Sequence, residues 1–582
     1  MREARSRSGV CSRDAANIRT PQTIAADLGI RSNSVVSMEL PWCSGNCRAI
    51  SRPPTLASIS WRASHPKSSA HGPSHLCFHR SDVFVDTFAR ITALLCDRIH
   101  RQLNCNILFI DTFIRYYLCY NLIMTIALNQ GVLEKLSLGP ASTTQLCQAL
   151  KVSRPVMWRT LQPLEKADRI VRIGSTRGAR YGLAHTIGAI GSHWPLYRID
   201  EIGTPIELGT LHAIERDRYF ARGQLPRIAT LAEGLPYFLQ DARPAGFLGR
   251  ALPAAYPELG LPARVLDWTD DHVLTFLALR GSESTGDLIL GQEALNRYLS
   301  DQHGPIIVNA HSRPTLYPEL AIQAMAGAPP GSSAHGEHPK FSIRIGQGRE
   351  LVHALVKFSP PRDSAFGERW ADLLVAEGVA SDFLNANGVP AATSRVLECG
   401  NRVFLESLRF DRIGAEGRRG VATLHSVDAN YYGQLDRWSR SAERLRNDRL
   451  LSAEDAERVA LLDAFGGLIA NTDRHFGNIT LFDDREGIFW LAPVYDMLPM
   501  LFAPAEGQLV EREFIPEGIR AETLRVWPRA RELAIGYWTA LTGDARLTVG
   551  FRERARGCLA IVSQLSARAG PQKSGSYNHV AD

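Results

Sequence analysis

Cysteine is thin where a network of bridges would need it: eight of the ten cysteines in this 582-residue chain precede residue 150, leaving Cys399 and Cys558 for the rest. No disulfide framework can span such a chain, which points to a reducing, cytoplasmic setting. Cys43, Cys47, Cys77 and His79 match no tight zinc spacing. No opening stretch has the basic, apolar, small-residue order of a secretory signal. Long apolar runs are missing too. The richest, residues 107–128, is interrupted by Asp111, Arg115 and Asn121, and carrying such groups into a bilayer costs several kcal/mol each. A buried helix pair is expected there, with no membrane partner. Nor does one sign of charge dominate: 66 Lys and Arg against 60 Asp and Glu leave +6, which permits nucleic-acid contact without requiring it.

What is present describes an ordinary globular chain, 45% hydrophobic and 22% charged, long enough for about three domains. Residues 1–80 are rich in Ser, Arg, Pro and His and hold no period, so a disordered extension is expected; residues 568–582 read as a frayed tail. Helical patterns at 84–104 and 107–127 lead into Ser142-Thr143-Thr144-Gln145, which opens a further helix, and Pro155 suits the first turn of the next. Two strand-like segments follow, around 170–174 and 180–183. Together, residues 90–190 read as a winged helix. Its second helix would offer Arg154 and Arg159 to a DNA groove, and its wing Arg172, Arg177 and Arg180 to phosphates: five arginines within 27 residues.

The rest of the chain turns on residues 471–478, Asn-Thr-Asp-Arg-His-Phe-Gly-Asn. Asp473 and Asn478 keep the Asp-x4-Asn interval of a protein-kinase catalytic loop. Alternation at 479–482, turn chemistry at 483–487 and a returning run at 488–492 predict a hairpin ending near Asp496. Asp473, Asn478 and Asp496 would then converge. Their hard oxygens suit Mg2+ shared with phosphates better than zinc. Upstream, the small-residue loop 327–340, with Ser332, Ser333, Ala334 and Gly336, can cradle phosphates, and Lys357 stands between apolar neighbours on a strand, where it would meet them. Gly346-Gln347-Gly348 reads more simply as a hairpin turn. A helix at 367–386 offers Glu377 or Glu368 to Lys357, a choice the sequence leaves open. Backbone near Glu406, Ser407 and Leu408 would meet adenine. A helix capped at Ser452 delivers the chain to the loop, where His475 is expected to fix the backbone.

The stretch NTDRHFGN…LAPVYDMLP, with RFDR at 409–412, resembles the HipA-type serine/threonine kinases, toxin halves of bacterial toxin–antitoxin pairs. With the helix-turn-helix in front, the similarity is greatest to the YjjJ-type branch. The resemblance implies an α+β multidomain fold: a winged helix-turn-helix (90–190), a HipA-like connector (191–325), a nucleotide lobe (326–408) and a helical lobe with the catalytic loop (409–567). It implies ATP and Mg2+ as cofactors, transfer to a protein serine or threonine, and a translation or replication component as target. It also implies autophosphorylation in the phosphate loop, where Ser333 is the matching position and Ser332 its neighbour; His335 departs from the branch's usual glycine. An antitoxin partner and a homodimer are allowed. The competing readings are a DNA-binding regulator whose kinase fold only senses nucleotide, and a small-molecule kinase on the same scaffold.

Overall fold

The computed structural model describes residues 106–174, 178–223, 231–300, 306–327, 338–347, 350–505 and 507–566, all within one compact unit, Arg98–Asp582. The expectations for residues 1–80, 84–104 and 568–582, the Cys43–His79 cluster, Arg177, and loop residues Ser332, Ser333, Ala334 and Gly336 lie outside the described residues.

Asn106–Leu136 (α1) contains no proline and a single glycine, and it forms one continuous helix. The buried pair expected there is corrected: Ile114, Tyr117, Leu118, Leu122 and Ile126 are exposed. Among the described side chains of this helix, only Val132, Leu133 and Leu136 enter a core, with Leu146, Met157 and Leu161. An apolar sequence buries a helix only where a partner surface exists, and the short elements that follow cover just its last turns. No described helix is long and apolar enough to cross a membrane.

Those elements are β1 (Ala141–Ser142), α2 (Thr143–Leu150), α3 (Arg154–Lys166), β2 (Ile170–Ile173) and β3 (Arg180–Leu183), with strand order β1-β3-β2. Ser142 and Gln145 cap α2 reciprocally, and Pro155 sits in the first turn of α3, where its missing N–H leaves no gap. Next come β4 (His193–Ile199), β5 (Pro205–Ile214), β6 (Arg218–Gly223) and β7 (Leu231–Glu233), followed after α4 (Asp270–Arg280) by β8 (Leu288–Leu290) and α5 (Gln292–Ser300). These strands form an antiparallel sheet, β7-β6-β5-β4-β8. Gly209, at the register shift in β5, has φ +145, and a Cβ there would lie 1.9 Å from the Arg222 carbonyl. Only glycine fits.

A second five-stranded sheet follows, built from β9 (Ile306–Asn309), β10 (Lys340–Gln347), β11 (Glu350–Phe358), β12 (Ser394–Cys399) and β13 (Arg402–Leu408) in the order β12-β13-β11-β10-β9. Helices α6 (Arg313–Ala326) and α7 (Ala365–Ala386) belong to the same lobe. Gln347 pairs with Glu350, so β10 and β11 form a hairpin, as expected. Gly378 lets α7 approach the sheet, since a Cβ would sit 2.5 Å from Val396.

The remaining elements are a small ribbon, β14 (Arg412–Ile413) with β15 (Gly417–Arg418), then β16 (Val421–Thr423), α8 (Leu424–Tyr431), α9 (Trp438–Asn447), α10 (Ala453–Leu468), β17 (Thr480–Phe482), β18 (Trp490–Leu491), α11 (Trp527–Gly543) and α12 (Val549–Gln564). The hairpin expected at 479–492 is β17 paired with β18, and β16 adds a strand on its other side. Phe465, Tyr537 and Trp538 are fully buried where α10 meets α11.

The hairpin is held from outside its own lobe. Arg485, 1% exposed, donates from Nη1 to Asp287 Oδ2 at 2.9 Å, with Nη2 2.8 Å from Oδ1. The Tyr237 hydroxyl donates to Asp483 at 2.9 Å, and Asp241 accepts from the Thr423 amide (2.6 Å) and hydroxyl (2.7 Å). Breaking one half of a buried ion pair costs about 3–5 kcal/mol. Asp287→Ala should therefore lower unfolding free energy by that amount in denaturant titration. A loss below about 1 kcal/mol, the range of exposed pairs, would show that this pair does not anchor the hairpin.

Candidate active site

Val356 and Phe358 are buried with Tyr317 and Phe341 in the cluster under α6. Strand alternation therefore turns Lys357 to the opposite face, toward α7. Its Nζ donates to both Glu377 oxygens, at 2.7 and 2.9 Å, and to Asp496. Glu368 is exposed in the first turn of α7, so Glu377 is the glutamate at Lys357.

The electrostatics are those of one cation shared by two carboxylates. Burial opposes the charge on Lys357, but Asp496 and Glu377 more than offset it and hold its pKa above the usual lysine range. Burial pushes Glu377 up to about 7, with Lys357 pulling the other way. Burial acts in the same sense on Asp496, yet Lys357 and then Lys340 hold it well below the usual carboxylate range. Lys340 stands opposite Lys357 in the sheet register, a neighbour the sequence reading passed over. His338, against Trp370 at 4.7 Å between ring centroids, is kept neutral: burial, then Lys357 and Lys340, lower its pKa to about 3.

The catalytic-type loop leaves α10 through Ala470, which adopts a left-handed φ of +58. Asn471 then ties both ends of the site together. Its Oδ1 accepts from the Asp473 amide at 3.0 Å, and its Nδ2 donates to the Asp496 carbonyl at 3.2 Å. Asn478 Nδ2 donates to the Asp473 carbonyl at 2.8 Å, so the Asp-x4-Asn interval closes on itself. His475 accepts from the Gly477 amide at 3.1 Å, and its carbonyl accepts from Trp438 Nε1 at 3.1 Å, a loop-fixing part as expected. Asp496 itself has φ +56, a left-handed conformation that few residues other than glycine adopt. Burial lifts the Asp473 pKa, His475 opposes that shift, and Asp496 adds to it.

Asn478, its amide nitrogen engaged, keeps a side-chain oxygen for a cation, and Asp496 brings a charged carboxylate. Both are hard donors of the kind Mg2+ accepts. Among the described residues no three His, Cys, Asp or Glu side chains gather as a metal cage. A cation here would need further oxygens from a substrate.

Two expected nucleotide contacts fall differently. Glu406 lies inside β13, registered with Val356 on one side and Arg395 on the other. Its carboxylate is taken by Arg313, at 2.7 and 2.9 Å, and by Tyr317. The Glu406 side chain therefore serves inside the lobe, while the adenine contact expected near Glu406, Ser407 and Leu408 concerns main-chain groups. Leu408 ends the strand, its amide donating to the Thr393 carbonyl at 2.8 Å. The RFDR segment works as a joint: Asp411 accepts from Arg409 at 2.9 and 2.7 Å, from Arg412 at 2.8 Å, and from the Gly286 amide at 3.0 Å. The arginines of the N-terminal module stand apart. Arg154 opens α3, donating to Thr144 at 3.2 Å, Arg159 is exposed on it, Arg172 lies on β2, and Arg180 on β3 donates to the Pro140 carbonyl at 2.5 Å.

A strand lysine paired with a glutamate on the next helix, an Asp-x4-Asn loop and a downstream aspartate are the parts of a protein-kinase site. The chain matches the HipA-like C-terminal domain over residues 332–565 and the YjjJ-like toxin middle domain over residues 190–299. It is 33% identical over 421 residues to toxin YjjJ of Escherichia coli K12, covering 72% of this chain and 94% of that one. The chain belongs to the HipA-type toxins, close to YjjJ. Among solved structures, HipA of Shewanella oneidensis MR-1, in a complex with HipB and operator DNA, is 15% identical with a TM-score of 0.40, over 64% of this chain and 90% of that one. The Helicobacter pylori proinflammatory kinase CtkA is 13% identical with a TM-score of 0.29, over 40% and 90%.

Protonating Glu377 would release one partner of Lys357. Because its pKa is raised to about 7, the carboxylate form is present above that pH and lost below it. Nucleotide affinity should fall as pH drops from 8 to 6, read by fluorescent-nucleotide titration, and Glu377→Gln should bind weakly with that pH dependence removed. An unchanged acid limb in the variant would contradict the assignment.

Proposed function

We propose that the chain is an ATP- and Mg2+-dependent serine/threonine protein kinase fused to a winged helix that binds DNA. The observation that carries the first half is Lys357 held between Glu377 and Asp496, with Asp473 and Asn478 closed on one loop. Lys357 would bind the nucleotide's phosphates, and Glu377 would keep it oriented. Asp473, its pKa lifted by burial, would take the proton of the acceptor hydroxyl. The bond from the γ-phosphorus to the bridging oxygen breaks, the bond to the hydroxyl oxygen forms, and ADP leaves. Asn478 and Asp496 would hold Mg2+, whose contribution when bound is to neutralise charge on the phosphates. Catalysis of this kind is positioning and charge stabilisation. Ser333, with Ser332 beside it, would be the internal acceptor.

Asp496→Ala should lower phosphoryl transfer by at least about 100-fold, the size of losing one transition-state stabiliser, while a thermal melt confirms folding. Retained transfer would sink the metal assignment.

The DNA half rests on α2, α3 and the β2–β3 hairpin, which put Trp158, 60% exposed, and Arg159 on the outer side of α3. Such a fused reader could take the part that separate antitoxins play for other HipA-type proteins. Arg154→Ala and Arg159→Ala should each weaken binding to a mixed-sequence duplex and reduce the salt slope by about one. An unchanged slope in both would leave the module as a protein contact.

A further inference from the structure

Asp473 also faces a groove of about 630 Å3, lined by none of Lys357, Glu377 or Asp496. One wall is the catalytic-type loop with Trp438; the other is the irregular segment Glu513-Phe514-Ile515, with Glu517 beyond it. We propose that this groove receives the acceptor segment of the protein substrate and selects a serine or threonine flanked by arginine or lysine. The inference rests on the kinase reading, and it adds what that reading leaves open, the class of substrate.

Position comes first. A hydroxyl that gives its proton to Asp473 must approach beside that carboxylate, and this groove opens there. Charge then decides what fits. The lining contains five carboxylates, Asp436, Asp463, Asp473, Glu513 and Glu517, against two arginines, Arg437 and Arg474. Most are spent internally: Arg474 binds Glu517 and stands 3.7 Å from Asp463, while Asp436 meets Arg444 at 2.8 Å. Glu513 is exposed and has no ion-pair partner among the described residues, so a basic side chain would find its counter-charge there. Beside it Ile515 is 77% exposed next to buried Phe514, an apolar step for the stem of a long side chain. An acidic segment would instead meet uncompensated repulsion, which is how such grooves discriminate.

The test uses the full chain with ATP, Mg2+ and three serine-centred peptides that differ only in flanks of Arg/Lys, Gln or Glu. Wild type should give kcat/KM at least about tenfold higher for the basic peptide than for the acidic one, equal to about 1.4 kcal/mol. The ratio should shrink as salt rises. Glu513→Lys, checked by thermal melt, should bring the ratio to about one or invert it. Equal rates on all three peptides, from protein that labels its own loop serine, would overturn this inference and leave the kinase reading standing. A basic preference untouched by Glu513→Lys would overturn the groove assignment. Transfer to no peptide and to no residue of the chain itself would overturn both.

Discussion

One buried lysine facing two carboxylates governs this site. Lys357 is shared between Glu377 and Asp496, and Lys340 adds its charge on the Asp496 side, so burial weighs most on Glu377. Glu377, its pKa raised to about 7, can take a proton, whereas Asp496 stays ionised and is the carboxylate better held to receive a cation. A buried carboxylate kept charged favours a divalent ion and the phosphates it accompanies. Strained backbone at Ala470 and Asp496 belongs to this arrangement, since Asn471 bonds one end of the loop to the other across both.

The middle of the chain, residues 190–299, adds no catalytic-type side chain to the site but acts on it through packing. Asp287, Tyr237 and Asp241 each reach the β16–β17–β18 unit, and Gly286 meets Asp411 of the RFDR segment. The hairpin that returns the chain to Asp496 is therefore braced by residues some 200 positions earlier. A segment without a motif of its own thereby fixes the placement of one that has it.

Much of this was legible in the sequence because the signals were local. Lys357 between apolar strand neighbours, the Asp473–Asn478 interval and the out-and-back hairpin each need only a few adjacent residues. Glu377 and Glu368 were not separable, though nine positions on a helix are about two and a half turns and put them on opposite faces. Which face met β11 was a matter of packing. The partners of the Glu406 side chain were hidden for the same reason: Arg313 and Tyr317, which satisfy it, come from α6, far back in the chain. The exposed length of α1 could not be read from its apolar residues, since burial depends on what else is there to cover them.

The most direct measurement is phosphate incorporation from labelled ATP with Mg2+ into the purified full chain, wild type beside Asp473→Asn, with phosphosites mapped. The account predicts label on Ser333 or Ser332 in wild type and none in the variant. Equal labelling of the two proteins, or no label in either while ATP is bound, would contradict it.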